Sequence, residues 1–460
     1  MKIADKNILV VGLGMSGAAT ACFLKKRGAV VTVTDMAKAE ELGDYAPMMR
    51  ELGVRTEFGE HRIETFENAD FIVISPGVPH TIPPIKAAQE KGVAVLGEIE
   101  LASRFIQAPI VAITGTNGKT TTTKLVGKML EASGFTVFVG GNIGNPLIRY
   151  ADNGEKADIV VAEVSSFQLD TIDTFRPEVG VLLNITEDHL DRYPNFTAYA
   201  RSKGRIFENQ QENDSAVLDS TDPIVSSVTE HIKSRKLETG NWMLDAGSKY
   251  PASSIQHPAS SIQHPASSIQ HPASSIQLMG RHNMENVSAA SLAALAVGGT
   301  PEGIQSALNN FKVPRHRLEY VATINDVMYF DDSKATNSDA VARALECFDK
   351  PVILIMGGRG KGIGRKFKAD SILRNRVSQH TKKLIAIGES RRDIKSEFKD
   401  VVLITMASSM EDAVSQAYHE AEPGDVVLLS PACSSFDMYR SYAERGETFC
   451  QAVRELNVEY

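Results

Sequence analysis

The stretch Thr114-Gly115-Thr116-Asn117-Gly118-Lys119-Thr120 constrains this chain more than any other. It follows an apolar run, Pro109-Ile110-Val111-Ala112-Ile113, and precedes a helical pattern from Thr121 to Ala132. Strand, glycine-bearing turn, Lys-Thr and helix is the arrangement that aims backbone N–H groups at a phosphate on a helix N-terminus. In that arrangement Lys119 reaches the terminal phosphates and the Thr120 hydroxyl ligates Mg²⁺. The general pattern asks for a glycine five places before Gly118, where Ile113 stands, so this is a variant loop with Gly115 as its turn residue. A plain surface turn has similar composition, but the flanking strand and helix favour the nucleotide.

At 460 residues the chain is too long for one core, and about three domains are expected. A hydrophobic content of 42% with 23% charged residues is that of an ordinary soluble protein, and a net charge of −8 argues against nucleic acid as a bulk partner. Cys22, Cys347, Cys433 and Cys450 lack metal-ligand spacing and read as reduced thiols, which suits the cytoplasm. No apolar stretch is long enough to cross a bilayer, so no membrane partner is expected. The run Ile8 to Leu24 has a signal-like apolarity, yet its three glycines read as strand and helix.

A strand at Asn7 to Val11 runs into Gly12-x-Gly14-x-x-Gly17 and a helix through Leu24. A second strand, Ala29 to Thr34, ends at Asp35, 18 residues after Gly17. This fingerprint sets a diphosphate on a helix N-terminus and an acid near a ribose; alone it suggests a nicotinamide or flavin enzyme. A third strand, Phe71 to Ile74, feeds Ser75-Pro76-Gly77-Val78-Pro79 at the edge where ligands sit in such sheets.

The second domain opens near Glu98. Gly140-Gly141-Asn142-Ile143-Gly144 is a tight turn, serving either a ligand or a plain loop. The strand Ala157 to Ala162 ends at Glu163, placed to hold Mg²⁺ beside the phosphate loop or else to cap a helix. The strand Gly180 to Leu183 leads to Asn184-Ile-Thr-Glu-Asp188-His189-Leu-Asp191-Arg192, a metal constellation or a solvated helix start. The helix Phe196 to Phe207 carries Lys203, by itself an ordinary solvated lysine. Residues 251–277 hold Pro-Ala-Ser-Ser-Ile-Gln and three copies of His-Pro-Ala-Ser-Ser-Ile-Gln; a proline in each excludes a helix and predicts a flexible inserted loop, one copy entering a strand at Leu278-Met279. Gly280-Arg281-His282-Asn283-x-x-Asn286 then opens a helix through Ala296.

The third domain begins near Pro314-Arg315-His316-Arg317. Two strands bracket a hairpin at Asn325-Asp326, and the second ends in Asp331-Asp332-Ser333-Lys334-Ala335-Thr336-Asn337. The strand Val352 to Met356 feeds Gly357-Gly358-Arg359-Gly360-Lys361-Gly362, and Asp425 to Leu429 feeds Ser430-Pro431-Ala432-Cys433-Ser434-Ser435. Strands alternating with helices predict a mostly parallel α/β sheet. In an acidic chain the basic run Arg359 to Lys368 suits a small anionic substrate.

Six motifs thus occur in order: Gly-Thr-Asn-Gly-Lys-Thr, Gly-Asn-Ile-Gly, Glu-x-Ser-Ser-Phe-Gln, Thr-Glu-Asp-His-Leu-Asp, Gly-x-His-Asn-x-x-Asn and Asp-Asp-Ser-Lys-Ala-Thr-Asn. With them the sequence resembles the Mur ligases, the ATP-dependent amino-acid-adding enzymes of peptidoglycan precursor synthesis. The resemblance covers essentially the whole chain apart from 251–277, and it is strongest to the members that add D-glutamate. It implies a Rossmann-like N-terminal domain for the UDP substrate (1–97), a P-loop ATPase-like central domain (98–313) and a Rossmann-like C-terminal domain for the amino acid (314–460).

The resemblance also implies site residues. Ser16, Gly17, Asp35 and Gly77 fall near UDP, and Asn142 near the muramoyl group. ATP binding falls on Gly115, Thr116, Asn117, Gly118, Lys119, Thr120, Thr121, Asn283, Arg317 and Asp332. Two Mg²⁺ sites draw on Thr120, Glu163, His189 and Lys203, with Lys203 matching the family lysine that becomes a carbamate. Lys119, His189 and Lys203 take catalytic roles. D-Glutamate contacts fall on Thr336, Lys361, Ser435 and Tyr442, the last often phenylalanine in relatives. The implied substrates are UDP-N-acetylmuramoyl-L-alanine, D-glutamate and ATP, handled by a cytoplasmic monomer through an acyl phosphate. A nicotinamide dehydrogenase leaves the phosphate loop unexplained. A folylpolyglutamate synthetase shares the ATP chemistry, whereas the diamino-acid-adding sibling carries an Asp-Asn-Pro-Arg motif that is absent here.

Overall fold

In the computed structural model, which describes residues 1–154, 156–239, 280–360 and 366–456, the apolar runs become the strands of three α/β sheets. The repeat at 251–277, the strand expected at Leu278-Met279 and Lys361 lie outside the described residues. β1 (Asn7–Val11), β2 (Val30–Asp35), β3 (Arg55–Phe58), β4 (Phe71–Ile74) and β5 (Ala94–Gly97) form a parallel sheet in the order β3-β2-β1-β4-β5. β1 and β4 are near-continuous apolar runs because a parallel sheet is covered on both faces.

The second sheet is also parallel. It comprises β6 (Ile110–Thr114), β7 (Val137–Gly141), β8 (Ile159–Glu163), β9 (Val179–Leu182), β10 (Ser215–Leu218) and β11 (Arg235–Glu238), ordered β11-β10-β9-β6-β8-β7. The third holds β12 (Glu319–Ile324), β13 (Val327–Asp331), β14 (Val352–Gly357), β15 (Thr381–Ile387), β16 (Leu403–Met406) and β17 (Val426–Leu429), ordered β12-β13-β17-β14-β15-β16. Its β12–β13 pair is antiparallel, turned by Asn325 and Asp326 at φ 51° and 61°, the left-handed pair that a two-residue hairpin demands.

The chain divides into two compact units. One spans Met1–Ile185, Tyr199–Pro272 and Glu285–Asn310 and carries the first two sheets. The other spans Thr186–Ala198, Ala273–Met284 and Phe311–Tyr460 and carries the third. Within the first unit, the helix Met15–Lys26 is tied to the helix Leu147–Asn153 through Asp152. Its carboxylate takes Lys26 Nζ at 2.5 Å and an Arg27 nitrogen at 3.2 Å, and Arg27 also donates to Ala151 O at 3.1 Å. Glu98, which opens the helix Glu98–Ser103, accepts the Ile148 N–H at 2.7 Å. Its Oε2 is buried without a partner, and burial pushes its carboxyl up to about 7.

Several boundaries differ from the sequence expectation. The helix after the phosphate loop begins at Lys119 rather than Thr121, because Gly118 takes a left-handed φ of 87° and launches the helix at once. The helix bearing Lys203 runs only Phe196–Gly204 and tightens to a 3₁₀ turn at Arg205–Phe207. β2 extends through Asp35, β8 starts at Ile159, and β9 covers Val179–Leu182. Among the described residues no helix is long and apolar enough to cross a membrane.

Candidate active site

β6 delivers the phosphate loop at the carboxyl edge of the second sheet, between β8 and β9. A side chain at Gly118 would collide with the Asn286 amide, so only glycine serves there. Lys119 Nζ folds back on the loop, donating to Gly115 O at 2.9 Å and Thr116 O at 2.8 Å. Thr120 Oγ1 donates to Glu163 Oε2 at 2.7 Å. The other oxygen of Glu163 accepts from Asn142 Nδ2 at 3.0 Å, and Asn142 N–H donates to Glu163 O at 2.8 Å. Lys203, only 2% exposed, donates to Gly115 O at 2.8 Å and lies 4.6 Å from the Tyr199 ring centroid.

The fold thus gathers Lys119, Thr120, Asn142, Glu163 and Lys203 about one loop. A hydroxyl beside a buried carboxylate at a helix start is the hard oxygen set that Mg²⁺ takes, so these residues fit the ion. Three neighbours lay outside the sequence assignment. Asn286 sits under Gly118, Tyr199 OH meets Thr116 Oγ1 at 3.0 Å, and Asn184 holds Asn117. Each had a trace in the sequence. Asn286 closes a quoted motif, Tyr199 precedes Lys203 by one helical turn, and Asn184 follows a strand end.

At the first sheet, Gly17 packs so closely on the Gly12 carbonyl that a Cβ would strike it. Ser75 Oγ donates to that carbonyl at 2.9 Å from the loop after β4. Asp35 accepts the Leu13 N–H at 2.6 Å and the Ala37 N–H at 2.8 Å, so it braces the glycine loop from the end of β2. Ser16 and Gly17 occupy the first turn of a helix that lacks a side-chain cap, and Gly77 lies in the loop after the adjacent β4. Uncapped N–H groups at a helix start are anion-binding groups.

In the second unit His189 has a left-handed φ of 56°. Its N–H donates to Asp188 Oδ1 at 2.9 Å, and Asn337 Nδ2 reaches Asp188 Oδ2 at 3.4 Å. Asp332 is buried, accepting from Ser430 Oγ at 2.8 Å and from Leu318 N–H at 3.3 Å. Burial pushes its carboxyl up to about 7, opposed by the Ser430 bond and the Arg317 charge. His282, next to the buried Asn283, is pushed down to about 4 by burial and then by the Arg343 charge, with Arg317 adding to it.

Thr336 follows β13, and Ser435 follows the adjacent β17. Ala432 N–H donates to Ala335 O at 2.9 Å, joining their loops. Arg359 and Ser434 exchange backbone bonds at 2.9 and 3.0 Å, adding the glycine loop after β14. Lys334 Nζ lies 3.7 Å from the Tyr442 ring centroid. Beneath them the buried Arg445 donates to Gly357 O at 3.4 Å, Ser333 O at 2.8 Å and Cys433 O at 3.1 Å. One guanidinium therefore ties the end of β14 to the loops that follow β13 and β17, and burial lowers its pKa to about 10. In the sequence Arg445 sits in a charged helical turn that reads as solvent-facing.

Three family models match the chain: "Mur ligase MurD-like, N-terminal domain" over residues 6–97, "Mur ligase middle domain" over 113–294, and "Mur ligase, glutamate ligase domain" over 316–433. The chain is 52% identical to UDP-N-acetylmuramoylalanine--D-glutamate ligase of Desulfosudis oleivorans, covering 98% of this chain and 97% of that one. It is 50% identical to the enzyme of the same name from Desulfatibacillum aliphaticivorans, over 99% and 100% of the two chains. Among solved structures, a pseudomurein peptide ligase type C from Methanothermus fervidus shares the fold with a TM-score of 0.56 at 19% identity, covering 98% of this chain and 100% of that one.

Proposed function

Since the chain belongs to the Mur ligase family, we propose that it joins D-glutamate to UDP-N-acetylmuramoyl-L-alanine at the expense of ATP, in peptidoglycan precursor synthesis. The observation that supports this reading most strongly is the convergence of Lys119, Thr120, Glu163 and Lys203 on one phosphate loop in a chain so similar to named D-glutamate ligases. The γ-phosphoryl of ATP passes to the L-alanyl carboxylate, giving an acyl phosphate and ADP. The amine of D-glutamate then attacks the acyl carbon, and the tetrahedral intermediate collapses to an amide and inorganic phosphate.

Each step gathers negative charge on oxygen, and the residues around the loop answer it. Lys119 swings from its loop carbonyls to the terminal phosphates, while backbone N–H groups at the start of the helix Lys119–Ala132 face the transferring group. Thr120 and Glu163 would hold Mg²⁺ beside the loop; the family resemblance also assigns His189 and Lys203 to metal binding. Bound Mg²⁺ supplies charge neutralisation across the phosphates. The neutral amine of Lys203 would add CO₂ and release a proton to form a carbamate, a reading supported by its burial, which disfavours the ammonium form. The family resemblance also assigns Asn283, Arg317 and Asp332, all carried by the second unit, to ATP binding. Ser16, Gly17, Asp35, Gly77 and Asn142 line the path of the UDP substrate. Thr336, Lys361, Ser435 and Tyr442 receive D-glutamate. The setting is the cytoplasm, with the chain acting as a monomer.

The test is phosphate release from ATP with UDP-N-acetylmuramoyl-L-alanine and a panel of amino acids. Release is expected with D-glutamate and not with L-glutamate, L-alanine or a diamino acid. Preference for any other member of the panel would overturn the assignment.

A further inference from the structure

The phosphate loop is fastened to its neighbouring strand by a residue that the chemistry above leaves unused. β6 and β9 pair in register from Val111 and Val179 to Thr114 and Leu182, and the ladder continues beyond both strand ends. Leu183 N–H donates to Thr114 O at 3.1 Å, and Thr116 N–H donates to Asn184 O at 2.9 Å. The Asn184 side chain then carries the ladder one residue further. Its Oδ1 accepts the Asn117 N–H at 2.9 Å, and its Nδ2 donates to Asn117 O at 3.1 Å. A primary amide offers a donor and an acceptor side by side, as a peptide unit does. Asn184 therefore serves as an additional strand residue for a loop that has already left the sheet.

The pairing fixes the peptide planes on both sides of Asn117. Those planes set the entry into the left-handed Gly118, and so the direction in which the first N–H groups of the helix Lys119–Ala132 point. We propose that Asn184 is a positioning residue for the nucleotide, its two-way amide pairing holding the phosphate loop in the shape that receives the phosphates before they arrive. The inference rests on the reading of this loop as the ATP site. Without the pairing the segment Asn117-Gly118 loses its side-chain restraint, and the cost of ordering it on binding appears as lost nucleotide affinity.

Wild type, Asn184→Ala and Asn184→Asp are compared by steady-state kinetics with each substrate varied in turn, by titration of ATP–Mg²⁺ and of UDP-N-acetylmuramoyl-L-alanine separately, and by thermal melts. Asn184→Ala is expected to raise the ATP Kd and KM by roughly ten- to a hundredfold, the scale of two lost hydrogen bonds, with the UDP-substrate Kd unchanged. Asn184→Asp keeps the size and the acceptor but loses the donor and adds a charge near the phosphates. It is expected to lose at least as much ATP affinity, and it carries the test if the alanine variant does not fold. Wild-type ATP affinity in the folded variants overturns the proposal, as does an equal weakening of every substrate alongside a lowered Tm. Failure of wild type itself to bind ATP while it binds the UDP substrate overturns instead the reading of the loop.

Discussion

Lys203 shows how a residue's chemistry depends on its surroundings. In the sequence it is one lysine on a helix; in the fold it is buried against Gly115 and Tyr199. If it functions as a carbamate, thorough removal of bicarbonate and CO₂ lowers kcat and their return restores it. Turnover indifferent to bicarbonate would sink the carbamate. Only the family resemblance singles this lysine out, because nothing in its local spacing distinguishes it from a solvated neighbour. Asn184, Tyr199 and Arg445 were less legible still. Their partners lie 67, 83 and 112 residues away in the chain, and polar pairing at that range leaves no periodic mark.

Elements were easier to read than residues, because a phosphate loop needs a strand before it and a helix after it within a short span. The helix starts at Lys119 and not at Thr121 because Gly118 completes the turn alone. Between elements, the join of the helices Glu98–Ser103 and Leu147–Asn153 depends on Glu98. Its carboxyl titrates at about 7 in the fold against 4.5 ordinarily, because burial outweighs the backbone bonds from Ile148 and Leu147. The folded chain therefore keeps a proton that the unfolded chain sheds, and this site's contribution to stability falls as pH rises from 4.5 to about 7. Across that window the stability advantage of wild type over Glu98→Gln is expected to shrink by ~3 kcal/mol. Denaturant titrations at several pH values check it, and comparison with the variant cancels Asp332, whose carboxyl shifts over a similar range. A gap that stays constant with pH means Glu98 ionises normally.

Across the molecule, each of the three sheets carries its candidate residues at strand carboxyl ends, as open α/β sheets do. That rule made the placement of the glycine loops predictable, while the proposed amino-acid site includes Lys361, outside the described residues. Lys361→Ala is expected to raise the D-glutamate KM by roughly ten- to a hundredfold, the cost of one charge-assisted hydrogen bond, with the ATP and UDP-substrate values unmoved. Kinetics with each substrate varied decide it, and a uniform change in all three constants would remove Lys361 from the pocket. The ties within the first unit bear on how such a chain can be recombined. Lys26 ends the first sheet's helix and Arg27 caps it, whereas Asp152 comes from the second sheet's helix. A chimera that exchanges residues 1–97 with a relative would cut straight through this seam, leaving Asp152 facing a foreign helix. The workable unit of exchange is therefore the first two sheets together, and homologous shuffling should find its crossover points beyond them.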